Sequence, residues 1–106
     1  MAKVELPSEW VEPGPGVKRR VLSDSDQAMM VEFVFEVGAI GDLHSHPHLQ
    51  TTYVASGAFE FHVAGETREV RAGDTVIVPR NAEHGCRAIE AGSLIDTFVP
   101  RRDDFL

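Results

Sequence analysis

Three histidines stand at alternate positions within five residues, at His44, His46 and His48, and Gln50 continues the spacing. Successive side chains of a β-strand project from opposite faces, so these four would share one face if the segment is extended. Neutral imidazole is the commonest metal ligand among side chains, and the Gln50 amide offers a further oxygen donor. The spacing therefore predicts part of a metal site on a strand that covers about residues 43–55.

A cluster on one strand is an incomplete metal site, so we expect another ligand from elsewhere in the chain. Of the five histidines, only His62 and His84 remain. His62 lies between Phe61 and Val63 and out of phase with both, which predicts that it faces solvent. His84 follows a proline-containing loop and begins a predicted strand with Cys86 in phase, so His84 is the expected ligand.

The composition argues against several classes of partner. The chain has 106 residues and a formal net charge of -7, which disfavours nucleic acid or an anionic membrane surface as the main partner. Cys86 is the single cysteine, which excludes an intrachain disulfide and fits a reducing cytoplasm. The sequence has no apolar run of about 18 residues and no signal-peptide pattern. We therefore predict a soluble, cytoplasmic protein.

Short alternations of apolar and polar residues predict the secondary structure. Residues 31–37 place valine or phenylalanine at every second position, which is typical of a half-buried strand. Roughly eight to ten such strands are expected, and no stretch has helical periodicity. We predict one all-β domain, a sandwich or barrel over residues 17–99, with an N-terminal arm over residues 1–16 and a C-terminal tail over residues 100–106.

Glycine-containing breaks predict the turns between these strands. The breaks lie at residues 56–57, 64–66, 72–74 and 90–92. Prolines and glycines are also frequent in residues 1–16, which indicates an extended arm that packs on its own barrel or on a second subunit.

The histidine segment matches the first motif of the cupin family. That motif is a glycine, five residues, His-x-His, three or four residues, an acidic residue, six residues and a glycine. Gly38, His44, His46, Gln50 and Gly57 stand at these spacings, with Gln50 in place of the acidic residue.

A second cupin motif follows in order. It is a glycine, five residues, Pro-x-Gly, two residues, a histidine, three residues and an asparagine. Gly73, Pro79 and His84 are in register, whereas Asn81 replaces the second glycine and Ala88 the asparagine. The chain thus resembles a small single-domain cupin. The resemblance implies an antiparallel jelly-roll β-barrel, a metal held by ligands from both motifs, and a homodimer.

The resemblance implies a ligand set of His44, His46, Gln50 and His84 for one divalent ion, such as nickel, zinc, iron or manganese. Because Gln50 is neutral, the ion would keep a net charge near +2 and polarise a bound oxygen strongly. His48 is not required by the motif and is expected at the rim or as a proton shuttle.

A narrower resemblance is to the KdgF-like cupins, which open the ring of unsaturated uronate monosaccharides. It rests on the runs HSHPH, SGAFEFHVAGE and DTFVPRRDDF. In that subgroup an Asp-x-Phe pair lies beside the metal site, and Asp96 and Phe98 match it here. This implies that Asp96 is a general acid or base, and that Arg101 or Arg102 holds the carboxylate of a sugar acid. Leu49 departs from the subgroup, which has a glutamate there.

Three functions are compatible with these residues. The first is an isomerase or lyase acting on a small carbohydrate acid such as an unsaturated uronate. The second is a ferrous dioxygenase, and the third is a non-enzymatic sensor or binding protein. Thr52 is in phase with Gln50 and could contact the ligand, as could Phe98. Asp96 alternatively makes only a structural hydrogen bond, and Cys86 is expected to be a buried inert thiol rather than a zinc ligand.

Overall fold

The structure, a computed structural model, describes residues 2–106 and is built from antiparallel β-strands. No α-helix occurs among these residues, and a single 3-10 turn lies near the C-terminus. The all-β prediction is therefore confirmed. In chain order the elements are β1 (Val11–Gly14), β2 (Val17–Asp24), β3 (Met29–Phe35), β4 (Ile40–His44), β5 (Leu49–Val63), β6 (Glu66–Arg71), β7 (Thr75–Val78), β8 (His84–Val99) and the 3-10 turn Asp103–Phe105.

The strands form one continuous hydrogen-bonded array that bends into two facing sheets. Two long strands, β5 and β8, run through both of them. Residues 49–54 of β5 pair with residues 94–99 of β8 in the first sheet, where β3 extends β8 and β7 extends β5. Residues 58–63 of β5 pair with residues 84–90 of β8 in the second sheet, where β4 extends β8 and β6 extends β5. The strands β2 and β1 continue the first sheet beyond β3. This arrangement is the predicted antiparallel jelly-roll barrel.

The core consists of the inward side chains of these strands. Phe59 is fully buried, and its ring meets the Phe35 ring edge-on with 5.3 Å between centroids. A smaller apolar cluster contains Met29 and Phe98, and Phe105 of the tail packs against it. Burying one such side chain contributes about 1.5–3 kcal/mol. These contacts hold together the strands from which the candidate site residues project.

The predicted strand over residues 43–55 is wrong at its start. β4 ends at His44 and β5 begins at Leu49, and Pro47 lies between them. Proline has no backbone N–H to donate to a strand ladder, so the extended segment is interrupted here. The two histidines beside Pro47 consequently lie in a loop, and the loop rather than strand alternation sets their direction.

Two predicted turns, at residues 56–57 and 90–92, are bends within β5 and β8. The pairing register shifts at these bends, but neither strand ends there. Gly57 has a φ of +79°, and a Cβ added at Gly92 would overlap the carbonyl oxygen of Ser56. Glycine therefore permits two bent backbones to pass in close contact. This explains why the glycines at these positions predicted turns although the chain does not reverse direction there.

Both ends of the described chain pack onto the barrel. The strand β1 lies in the predicted arm and pairs with β2. The 3-10 turn lies in the predicted tail and places the Phe105 ring 5.7 Å from the Phe98 ring, centroid to centroid. The arm and the tail are thus structured parts of the protein that meet the barrel.

The outer face of the first sheet carries exposed apolar side chains. Ile77, Tyr53 and Met30 are 60%, 47% and 40% exposed, respectively. A homodimer, which the family resemblance implies, stays a prediction. Among the described residues, no helix is long and apolar enough to span a membrane.

We predict that Gly92→Ala destabilises the barrel, because its methyl group would overlap backbone atoms of the β5 bend. Urea unfolding should show a loss of about 3 kcal/mol. Gly14→Ala is the matched control, since nothing lies within 4 Å of a Cβ there, and it should change stability by less than about 1 kcal/mol. Equal stability of the Gly92 variant and the wild type would contradict the close packing of the two bends.

Candidate functional site

Three histidines from separate segments meet at one point of the barrel. His44 ends β4, His46 lies in the following loop and His84 begins β8. The β4–β8 register pairs His44 with His84, and the backbone N–H of Asn81 donates to the His46 carbonyl at 2.8 Å. One ring nitrogen of each histidine lies within 4.8 Å of the others. This three-histidine group could hold a metal ion.

Backbone carbonyls fix the orientation of all three rings. In each case Nδ1 lies close to a carbonyl oxygen two residues away, at 2.8 Å for His44, 3.2 Å for His46 and 2.9 Å for His84. A carbonyl oxygen only accepts hydrogen bonds, so the proton of the His44 ring and that of the His84 ring are on Nδ1, whereas both ring nitrogens of His46 face oxygen acceptors. In His44 and His84 the Nε2 atom is then the one left for a metal, which is how metal-binding histidines are commonly oriented.

The buried rings are also uncharged. Burial lowers the pKa of His84 to about 4, and burial together with the charge of Arg102 lowers the pKa of His46. The Nε2 atom of His84 therefore carries a lone pair at pH 7, and the neutral His46 ring has a lone pair on one of its two nitrogens. His84 Nε2 is buried and has no hydrogen-bond partner within residues 2–106. An unpaired buried acceptor costs about 1–3 kcal/mol, and a cation bound at this nitrogen would remove that cost.

Gln50 adds an oxygen to the three nitrogens. It is 4% exposed, and its Oε1 lies 3.0 Å from His46 Nε2. With the His46 proton on Nδ1, toward the His48 carbonyl, both atoms would present lone pairs to the same space. Neighbouring ligands at right angles around an ion, with bonds of about 2.1 Å, are also about 3 Å apart. The donor set therefore fits a divalent transition-metal ion.

A short hydrogen-bonded chain joins Gln50 to Asp96. Gln50 Nε2 donates to Thr52 Oγ1 at 3.0 Å, and the Thr52 hydroxyl donates to Asp96 Oδ1 at 2.6 Å. Thr52, predicted to contact a ligand, is 1% exposed and lies outside the cavity wall. Its position instead orients the Gln50 amide, because Nε2 is engaged and Oε1 is turned toward the histidines.

Asp96 is the buried carboxyl group beside this cluster. Burial raises its pKa to about 7, although the hydrogen bond from Thr52 and the charge of Arg102 act in the opposite direction. A carboxyl group with a pKa near 7 can both accept and release a proton at neutral pH. The geometry thus gives Asp96 the properties of a general acid or base as well as a structural hydrogen bond.

One cavity brings these groups together. Its volume is about 690 Å³, within the range of about 300–1,000 Å³ typical of small-molecule pockets. Several polar groups of the site contribute to its wall together with the Phe98 ring, namely His44, Gln50, His84 and Asp96.

The two tail arginines occupy different places. Arg101, predicted to bind substrate, lies outside the cavity wall and pairs with Asp103 at 2.7 Å. Arg102 is 8% exposed, belongs to the wall, and has its Cζ 5.1 Å from the centroid of the Phe98 ring. The arginine of the tail that can reach a bound molecule is therefore Arg102, because neighbouring side chains in this segment point in different directions.

His48 and Cys86 do not join the three-histidine group. The His48 ring lies 5.4 Å from the His46 ring, centroid to centroid, and its backbone carbonyl orients that ring. Cys86 is in the cavity wall, where burial raises the pKa of its thiol to about 12. The thiol is therefore protonated at neutral pH, which agrees with the interpretation of an inert side chain.

The sequence reasoning missed Arg19, which also belongs to the cavity wall. Arg19 alternates with Val17 and Val21 along β2, so an arginine occupies an inward position of an otherwise apolar row. That break in the alternation was the available signal, because an unpartnered charge is seldom placed on the inner face of a strand.

Comparison with known proteins identifies the family. The model of the cupin domain matches residues 31–98. The chain belongs to the cupin family. One relative, the pectin degradation protein KdgF of Dickeya dadantii, is 48% identical over 99 residues, which are 92% of this chain and 90% of that protein.

Two solved cupin structures are similar to this one over most of both chains. The structure of KdgF from a Halomonas species has a TM-score of 0.88 and 40% identity, and covers 93% of this chain and 92% of its own. An RmlC-like cupin from Shewanella frigidimarina has a TM-score of 0.89 and 40% identity, and covers 92% and 88%. The resemblance to cupins and to KdgF inferred from the sequence is confirmed.

Both motifs of this cupin contribute to one cluster. The first supplies His44, His46 and Gln50, and the second supplies His84 across the β4–β8 pair. The structure brings the four side chains together, and their role as metal ligands remains a prediction.

We predict that Asp96→Asn becomes more stable relative to the wild type as the pH rises from 4 to 8, in protein treated with a chelator. The folded-state pKa of Asp96 is about 7, above its ordinary value of 3.8, so between these pH values the carboxyl ionises in the unfolded chain but stays protonated in the folded protein, and the wild type loses stability as the pH rises. Asn stays neutral and still accepts the Thr52 hydrogen bond. Urea unfolding should show a relative gain of up to about 4 kcal/mol.

Asp26→Asn, in an exposed turn between β2 and β3, is the matched control and should keep the pH dependence of the wild type. A stability difference between the Asp96 variant and the wild type that is constant from pH 4 to 8 would show that burial does not raise this pKa.

Proposed function

We propose that this cupin is a metal-dependent isomerase or lyase that opens the ring of an unsaturated uronate monosaccharide. The observation that carries the proposal is Asp96, a buried carboxyl in the same cavity as the three-histidine group and joined to Gln50 through Thr52. The similarity to KdgF supports the substrate class, because that relative is a pectin degradation protein and pectin is a polymer of a uronate sugar.

The proposed ligands of one divalent ion are His44, His46, Gln50 and His84. Three neutral imidazoles and an amide oxygen suit nickel, zinc, iron or manganese. When bound, such an ion would act as a Lewis acid on an oxygen of the sugar. The chain's own contribution is to hold three Nε2 atoms and one Oε1 atom at a common point, by means of the Nδ1–carbonyl bonds and Thr52.

Asp96 is the proposed proton carrier. The cyclic sugar is a hemiacetal, so opening removes the proton of its O1 hydroxyl and breaks the bond between C1 and the ring oxygen. The electron pair remains on the ring oxygen as an enolate, and a proton added at C4 converts the enolate to a ketone. Asp96 can accept the first proton and deliver the second, because its pKa is about 7. The reaction conserves all atoms and needs no oxidant.

The remaining wall groups fit the shape and charge of a sugar acid. The Phe98 ring offers an apolar face, and it is held in place by Arg102 and by the Phe105 ring. The cavity contains two guanidinium groups, those of Arg19 and Arg102, which match the planar geometry of a carboxylate.

Metal binding is the first test. We predict that the purified protein binds about one divalent ion per chain, with a rise in Tm, and that His44→Ala and His84→Ala each weaken binding by at least about 100-fold. His62→Ala is the control, since this partly exposed histidine bonds to Thr67 on β6 and should leave the metal content unchanged. A wild-type protein that takes up no divalent ion under any loading condition would sink the metal proposal.

Turnover is the second test. The conjugated double bond of an unsaturated uronate absorbs ultraviolet light, and ring opening removes this absorbance. We predict that the metal-loaded protein consumes it and that Asp96→Asn lowers kcat by at least about 100-fold, with normal metal content. Asp26→Asn should retain full activity. Equal turnover by the Asp96 variant would remove Asp96 from the mechanism.

The same assay separates the other functions considered from the sequence. Oxygen uptake by the iron-loaded protein, without consumption of the uronate, would replace the proposal with a ferrous dioxygenase. Tight binding of a small acid without any turnover would replace it with a non-enzymatic binding protein.

A further inference from the structure

We propose that Arg19 is the residue that binds the carboxylate of the small organic acid in this cavity. The substrate class rests on the proposed function, whereas the assignment to Arg19 rests on its place in the fold. Neither cupin motif includes this strand, which precedes the matched residues 31–98.

The first step is the direction of the side chain. Arg19 stands on β2 opposite Phe33, which in turn stands opposite Leu94 on β8. Leu94 is 2% exposed, and Val17 on the same face of β2 is 5% exposed, so this row faces the interior. Arg19 is therefore an inward residue, and it belongs to the wall of the same cavity as the three-histidine group.

The second step is the charge balance of the wall. Arg102 binds Asp104 through two hydrogen bonds, Nε to Oδ1 at 3.0 Å and Nη2 to Oδ2 at 2.7 Å. Arg19 takes part in none of the ion pairs found within residues 2–106, and the exposed wall residue Asp42 pairs with neither arginine. The guanidinium in the wall that has no carboxylate partner is thus that of Arg19.

The third step is how the group is held. The Arg19 Cζ lies 4.1 Å from the centroid of the Phe105 ring, and the same ring lies 4.2 Å from the Arg102 Cζ. Stacking on an aromatic ring holds a guanidinium by its face and leaves the N–H groups at its edge able to donate. The tail thus fixes Arg19 without using the donors that a carboxylate needs.

Partial burial adds to the attraction for an anion. Burial lowers the pKa of Arg19, and the charge of Asp104 raises it, yet an arginine remains protonated at any physiological pH. A fixed positive charge in a partly desolvated wall attracts an anion more strongly than one in bulk water. A monoanionic sugar acid would supply the missing partner, whereas a neutral sugar of the same size would not.

The test measures the binding of galacturonate, a saturated uronate that cannot undergo the reaction, to the metal-loaded full-length protein by calorimetry. We expect Arg19→Gln to weaken binding by about 10- to 100-fold, as for the loss of a charged hydrogen bond, and Arg19→Lys to restore part of it. Arg20→Gln is the matched control, because Arg20 is the next residue along β2 and its side chain pairs with Glu32 and stacks on Trp10 instead. Galactose, the neutral probe, should bind all four proteins equally weakly.

Steady-state kinetics with the unsaturated uronate are the second measurement. Arg19→Gln should raise KM by the same factor and change kcat by less than about threefold, because the reacting atoms are untouched. A general structural defect would instead lower kcat, metal content and thermal stability together.

Several outcomes would overturn the assignment. The first is that the wild type does not bind galacturonate. The second is that the wild type and Arg19→Gln bind it equally well. The third is that Arg102→Gln loses binding whereas Arg19→Gln retains it. Failure of the proposed function looks different. In that case galacturonate binds and depends on Arg19, but the unsaturated uronate is not consumed.

Discussion

The antiparallel pairing of β5 with β8 places Thr52 opposite Asp96 and Gln50 opposite Phe98. Because side chains alternate along each strand, these four groups all face the interior. A shift of β5 by one residue relative to β8 would turn Gln50 and Thr52 to the outer face of the sheet. The same pairing continues past the two glycine bends to Val63 and His84. The β5–β8 pairing therefore sets the distance between the candidate acid–base group and the candidate metal ligands.

The burial that this pairing produces also determines the pKa values of the site. Asp96 is buried, and two groups that favour its charged form, Thr52 and Arg102, do not offset the loss of water, so its pKa rises. His84 is affected by the same burial in the opposite direction, since its charged form is the protonated one. Burial thus explains both the neutral imidazole of His84 and the pKa of Asp96 near 7. The barrel thus supplies a candidate metal ligand and a candidate proton carrier without a special charge partner for either.

The sequence was sufficient for the metal-ligand candidates but not for the way they are assembled. Spacing within the two motifs selects four side chains that the structure brings together, even though Pro47 interrupts the strand on which alternation placed them, and their role as metal ligands stays a prediction. Alternation describes side-chain direction only inside a strand, so it could not distinguish Arg101 from Arg102 in a tail with a 3-10 turn. Arg19 was readable in principle, as a charged residue in an apolar row. Recognising its role required the Phe105 contact, which joins residues 86 positions apart.

This contact suggests a division of work along the chain. The candidate chemistry comes from β4, β5 and β8 in the matched family region, whereas the proposed recognition groups come from β2 and from the tail outside it. Phe105 couples these two outer segments, because it stacks on both Arg19 and Arg102. Changes in β2 or the tail could therefore alter which small molecule the cavity accepts without disturbing the three-histidine group. A cupin barrel can keep its reactive centre while its ends set the substrate, since function resides in sites added to a shared fold.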